Sequence, residues 1–88
     1  MQIIGSLSKI EKLIIKLKNQ PKDFSWDELV VLLNFFEYTE VKKGKTSGSR
    51  RKFVNKELQI ISLHKPHPGN IMKSYVIKLV IKQLKEKL

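Results

Sequence analysis

The stretch "KKGKTSGSRRKF", Lys42 to Phe53, holds six cationic side chains, two glycines, two serines and a threonine without a carboxylate. Extended to Lys56, the window has seven Lys or Arg and still no acid. Gly44 and Gly48 let a backbone approach a ligand closely, and Thr46, Ser47 and Ser49 add hydroxyl and amide donors suited to phosphate oxygens. A second concentration of chemistry follows at "LHKPHPGN", Leu63 to Asn70, where His64 and His67 flank a turn. Histidine is the side chain whose charge ordinarily changes near neutral pH, so both are candidates for moving a proton beside a bound phosphate.

Each feature also has a plainer explanation. The basic window can be a solvated hairpin whose lysines discourage edge-to-edge association. A nucleotide-binding loop fits less well: "GKTSGS" lacks the earlier glycine of a Walker motif, and strands rather than a strand and a helix flank it. The two histidines have no third nitrogen or sulfur ligand in view, which argues against a metal site. His64 can simply end a strand and His67 fill a turn. Trp26, Tyr38, Tyr75 and the four phenylalanines could stack on bases, but Phe35, Phe36 and Phe53 are better explained as core and no strand shows a pair of exposed aromatics, so stacking is not a strong signal.

The elements that must position these residues are legible from periodicity. "SKIEKLIIKLKNQP" spaces Ile10, Leu13, Ile14 and Leu17 on one helical face, with Ser8 and Glu11 as a capping box and Pro21 beyond the end. "SWDELVVLLN" repeats that grammar with Ser25 and Glu28, with Asn34 able to stop the helix in the left-handed conformation. The period then changes: "FEYTEVKK", "RKFVN" and "LQIISLH" are short and rich in β-branched or aromatic residues, as three strands of a meander would be. In the third, Gln59, Ile61 and Leu63 point to one face, expected to be the core, and Ile60, Ser62 and His64 to the other. "KPHPGN" must turn, and from about Ser74 onward Ile77, Val80, Ile81, Leu84 and Leu88 form the apolar face of a third helix, opposite Lys78, Lys82 and Lys85. The order α-α-β-β-β-α predicts an α+β fold, a three-stranded antiparallel sheet with helices on one face and the other face open.

Composition bounds the function. With 88 residues, the expectation is a single domain over 1–88, its added helix at about 8–20 and its core at about 25–88. Eighteen Lys and Arg against eight Asp and Glu leave a net charge of +10, which favours polyanionic partners. The absence of cysteine excludes disulfides and thiolate metal sites, and points to a reducing, cytoplasmic home. No apolar run is long enough to span a bilayer and the start lacks an export signal, so no membrane partner is expected.

At "GKTSGSRRKF", followed by "ISLHKPHPGN" and a terminal amphipathic helix, the sequence resembles the HicA toxins of bacterial toxin and antitoxin pairs, small ribonucleases acting on messenger RNA. The likeness runs from about the second helix to the end. It implies a double-stranded RNA binding domain-like fold, mRNA cleavage without a metal or any other cofactor, and inhibition by a HicB-like antitoxin covering the active surface. The best-known members carry a catalytic histidine after the Gly-Ser pair, whereas here Gly48 and Ser49 are followed by Arg50. Arginine stays protonated, so it can hold a phosphate and stabilise transition-state charge but cannot act as the base. A divergent branch of the family pairs a "GSR" turn with an "LHKPHPG" motif, as this chain does, and the resemblance makes His64 the candidate base with His67 as runner-up. The expected catalytic pair is His64 and Arg50. The expected RNA contacts are Lys43, Lys45, Thr46, Ser47, Ser49, Arg50, Arg51, Lys52, Lys65 and His67.

Three functions follow from different classes: an RNA-cleaving toxin, an RNA-binding module that has lost hydrolysis, and a protein-interaction domain whose basic face meets an acidic antitoxin-like partner. The first accounts for the motifs best.

Overall fold

A computed structural model of the chain describes residues 8–41 and 50–88. Two helices come first, α1 (Lys9–Lys18) and α2 (Trp26–Phe35), and each starts where a capping box dictates. The Ser8 hydroxyl accepts from the Glu11 amide while the Glu11 carboxylate accepts from the Ser8 amide, and Ser25 and Glu28 repeat the exchange. These reciprocal bonds satisfy amides that the first helical turn would otherwise leave without partners.

Neither helix stops on glycine. Gln20 (φ 51°) follows α1 and Glu37 (φ 69°) follows α2, both in the left-handed region. At the end of α2 the Tyr38 amide donates to the Leu33 carbonyl (2.9 Å) and the Glu37 amide to the Asn34 carbonyl (3.0 Å), the crossed pair of a Schellman cap. Asn34 is therefore still helical, and Glu37 takes the left-handed position expected of Asn34. The cap also consumes residues that the sequence pattern assigns to the first strand.

The sheet has the order β1-β2-β3, with β1 (Thr39–Glu40), β2 (Arg50–Val54) and β3 (Ile60–His64) antiparallel throughout. Strand β1 is shorter than "FEYTEVKK" suggests, since 36–38 close the helix; the Val41 amide extends its ladder by donating to the Lys52 carbonyl at 2.8 Å. Strands β2 and β3 are joined by a turn built on Asn55, whose Oδ1 accepts from the amides of Glu57 (3.1 Å) and Gln59 (2.8 Å). Gln59 lies in this turn, exposed, with its side-chain oxygen accepting from Asn55 Nδ2 at 2.7 Å, so it is not on the core face as alternation alone suggests.

The core is one apolar cluster between the helices and one face of the sheet. Phe53, Ile61 and Leu63 supply the sheet side; Leu29, Leu32 and Leu33 of α2 and Val76, Ile77 and Val80 of α3 (Ser74–Gln83) cover it. Trp26 meets Phe53 with ring centroids 5.9 Å apart, so its indole is committed to the core. Helix α1 buries Leu13 and Leu17 in the same cluster, with Ile10 and Ile14 packed against it. Phe35 departs from expectation: it is 55 % exposed at the end of α2, while the fully buried Phe24 fills the centre instead. The result is an α+β layered fold in which α2, the three strands and α3 follow the order of a double-stranded RNA binding domain, with one sheet face open and α1 added ahead of them.

Candidate nucleic-acid interface

Strand alternation decides which side chains reach the open face of the sheet. Phe53 of β2 and Ile61 and Leu63 of β3 point inward, so Arg50 and Lys52 on one strand and Ile60, Ser62 and His64 on the other point outward, and all five are exposed. The register sets Arg50 opposite His64 and Lys52 opposite Ser62. Two hydrogen-bond distances tie this face together: Arg50 Nη1 donates to Ser62 Oγ at 2.9 Å, and Arg50 Nη2 lies 3.3 Å from His64 Nε2. A guanidinium can only donate, so the second contact requires Nε2 to accept, with the imidazole proton on Nδ1.

The residues expected at the site are thus divided. Arg50, Lys52 and His64 come together on the open face. Arg51 points the other way, and its Nε pairs with Glu40 Oε2 on β1 at 3.3 Å, so it braces the sheet rather than extending the outward cationic row. Lys65 and His67 follow β3 in the turn before α3 and line, with His64, a cleft of about 320 Å³. That turn is anchored at its far end: the Met72 amide donates to the Phe24 carbonyl (2.8 Å), the Trp26 amide to the Asn70 carbonyl (2.7 Å), and Met72 is buried. Lys43, Lys45, Thr46, Ser47 and Ser49 lie outside the described residues.

Ser62 is the residue that sequence reasoning did not assign to the site. Alternation places it beside His64, but its role depends on the hairpin register that brings Arg50 across to it. Among the described residues, no group of three or more His, Cys, Asp or Glu side chains is arranged to hold a metal ion. No helix among them is long and apolar enough to cross a membrane.

The fold and the site define a small α+β domain whose open sheet face carries arginine, lysine and histidine. A family model described as the HicA toxin of bacterial toxin-antitoxin pairs matches residues 26–85, from the first residue of α2 to just beyond α3. The chain belongs to the HicA toxin family, and membership implies an antitoxin partner. No curated protein and no solved structure matches the chain.

Proposed function

We propose that the chain is the toxin of a toxin-antitoxin pair and acts as a metal-independent ribonuclease on messenger RNA, with the open sheet face as its substrate surface. The observation that carries this reading is the Arg50, Ser62 and His64 cluster: a phosphate-binding guanidinium within hydrogen-bond distance of an imidazole nitrogen that can accept a proton.

The chemistry follows from these groups. An RNA phosphate draws the Arg50 guanidinium into charge-assisted hydrogen bonds, with Lys52 adding a second positive charge on the same face. His64 Nε2, released from Arg50, takes the proton of the adjacent ribose 2′-hydroxyl. The 2′-oxygen attacks phosphorus, the bond to the 5′-oxygen breaks, and that oxygen takes a proton from water. The products are a 2′,3′-cyclic phosphate and a 5′-hydroxyl end. Positioned proton transfer of this kind contributes about 10²–10⁴-fold in rate. Arg50 stabilises the charge that develops on the phosphoryl oxygens, an effect of about 10²–10³-fold for a single well-placed donor.

The test is incubation of the purified protein with an end-labelled single-stranded mRNA fragment in excess EDTA, beside His64→Ala, Arg50→Ala and a mock preparation. Cleavage by the native chain alone, leaving cyclic phosphate ends, supports the reading. Binding without cleavage identifies a module that has kept the RNA surface and lost hydrolysis along with the histidine usual after the Gly-Ser pair. An absence of RNA binding, with tight binding to an acidic partner, leaves the protein-interaction reading.

A further inference from the structure

The geometry points to a nucleobase subsite in the cleft between the end of β3 and the start of α3, where the ring of Tyr75 stacks on a base of single-stranded RNA whose phosphate is held at Arg50. The inference rests on the RNA reading above and extends it to substrate contacts beyond the sheet.

The cleft has a volume of about 320 Å³. Ligand clefts run from about 300 to 1,000 Å³, so this one suits a single nucleotide unit rather than a larger ligand. Its lining is mixed in the way a base requires. Met72 and Val76, both buried, supply an apolar floor, and Tyr75, 60 % exposed, supplies an aromatic face open to solvent. Lys65 and Lys73 bring donors and positive charge, His67 adds a polar ring, and among the described residues no carboxylate lines the cleft.

A second cleft of similar size, about 330 Å³, shows what this combination excludes. It is lined by Glu57 and Glu86 together with Lys82, Lys85 and Lys87, and among the described residues it has no aromatic ring, so it offers nothing for a base to stack on.

Continuity with the sheet face comes from His64, which stands opposite Arg50 in the ladder and also forms part of the cleft wall. A strand whose phosphate engages Arg50 therefore has an adjoining nucleotide beside the cleft. The site is also held in place before any ligand arrives. The loop ahead of α3 is pinned by the Met72 and Trp26 amide bonds and by Asn70 Nδ2 donating to Asp27 Oδ2 at 3.3 Å. Preorganisation of this kind lowers the ordering cost of binding.

The experiment follows the full chain by amide-resolved NMR during titration with a 2′-O-methyl tetranucleotide, which cannot be cleaved, and measures affinity for the same oligomer by fluorescence polarisation. The proposal expects amides of residues 64–76 to shift together with those of 50–52. Tyr75→Ala should weaken binding about five- to hundredfold, the effect of losing one base–aromatic stack, and Tyr75→Phe should restore it to within about twofold. The Tyr75 ring is largely exposed, so neither variant empties the core. Shifts confined to 50–52 and 62–64, with Tyr75→Ala binding as the native chain does, overturn the base subsite and leave the RNA reading standing. An oligomer that moves no amide and shows no binding overturns both, and a cleft that responds only to a protein partner overturns this inference in favour of an antitoxin contact.

Discussion

Arg50 and His64 face each other across the β2–β3 ladder, with Arg50 Nη2 3.3 Å from His64 Nε2 and Arg50 Nη1 2.9 Å from the Ser62 hydroxyl. The hydroxyl holds one arm of the guanidinium, and this fixes where the other arm meets the imidazole. Ser62→Ala removes that support without removing a charge or the proposed base. Cleavage should fall roughly ten- to hundredfold while RNA affinity stays nearly constant, because misplaced groups lose rate before they lose binding. Single-turnover rates set beside polarisation affinities separate the two. Equal losses in both would make Ser62 a binding residue instead.

Lys52 shares the open face with Arg50 but has no assigned part in the bond-breaking step. Lys52→Ala should weaken binding to RNAs of any sequence and reduce the slope of log affinity against log salt by about 0.7, as one phosphate contact to a single strand is lost. Arg51→Ala should leave the salt slope nearly unchanged, since that guanidinium pairs with Glu40 away from the outward row. A matched salt titration of the two variants is the measurement, and equal slopes would contradict the division of the strand into two faces.

Much of this arrangement is legible in the sequence, and what is not has identifiable causes. Both capping boxes, the third helix and the alternation of Ile61, Ser62, Leu63 and His64 follow from local spacing and are realised as local spacing demands. The first strand is cut short because Glu37, which has no glycine-like freedom, adopts the left-handed cap at the end of α2. Phe35 reads as core by composition, yet one further residue of helix turns it toward solvent. The partners of Arg50 and Arg51 were hidden for a different reason: they are on other strands, so the β2–β3 register at the Asn55 turn brings Ser62 and His64 to Arg50, and the separate β1–β2 register brings Glu40 to Arg51. The Tyr75 cleft was equally invisible, since it depends on how the loop before α3 is anchored to the segment before α2.

That register makes Asn55 a stability determinant as well as a turn residue. It is buried, and its side chain accepts two amide hydrogen bonds and donates one to Gln59. Asn55→Ala removes these bonds, each contributing about 0.5–1.5 kcal/mol net. For a domain of this size, each kcal/mol lowers the Tm by roughly 4–8 °C. Thermal unfolding followed by circular dichroism tests this, and a variant melting with the native chain would show that the turn holds without its side-chain bonds.

The same turn carries a residue in a costly conformation. Leu58 has φ 63° and is 79 % exposed, so its side chain brings strain without compensating burial. The left-handed conformation costs an L-residue about 1–2 kcal/mol, and glycine's greater unfolded-state freedom offsets part of the relief. Leu58→Gly should therefore stabilise the domain by about 0.5–1 kcal/mol. An increased urea midpoint at unchanged slope would be the expected result, while a lowered midpoint would mean that the leucine makes contacts worth more than its strain.

Acid stability should depend on Glu28, which caps α2 and also meets Lys16 of α1 with Oε2 3.0 Å from Nζ. Partial burial pushes the Glu28 carboxyl up, but the Ser25 amide, the Lys16 ammonium and the Ser25 hydroxyl together outweigh it and hold the group below its ordinary value of 4.5. A carboxyl depressed in the folded state contributes stability that is fully present above the unfolded value and is lost as pH falls through the lower folded one. The contribution is thus intact at neutral pH and fades only below about 4.5. Lys16, raised chiefly by its hydrogen bond to Glu28, has the opposite sign and loses its contribution only as pH climbs past 10.5. Glu28→Gln keeps the size of the side chain but cannot titrate. Its urea midpoint should lie below that of the native chain at neutral pH, and the gap should close as the solution is acidified through the folded-state value. A constant gap at every pH would locate the loss in helix capping geometry rather than in the charge that ties α1 to α2.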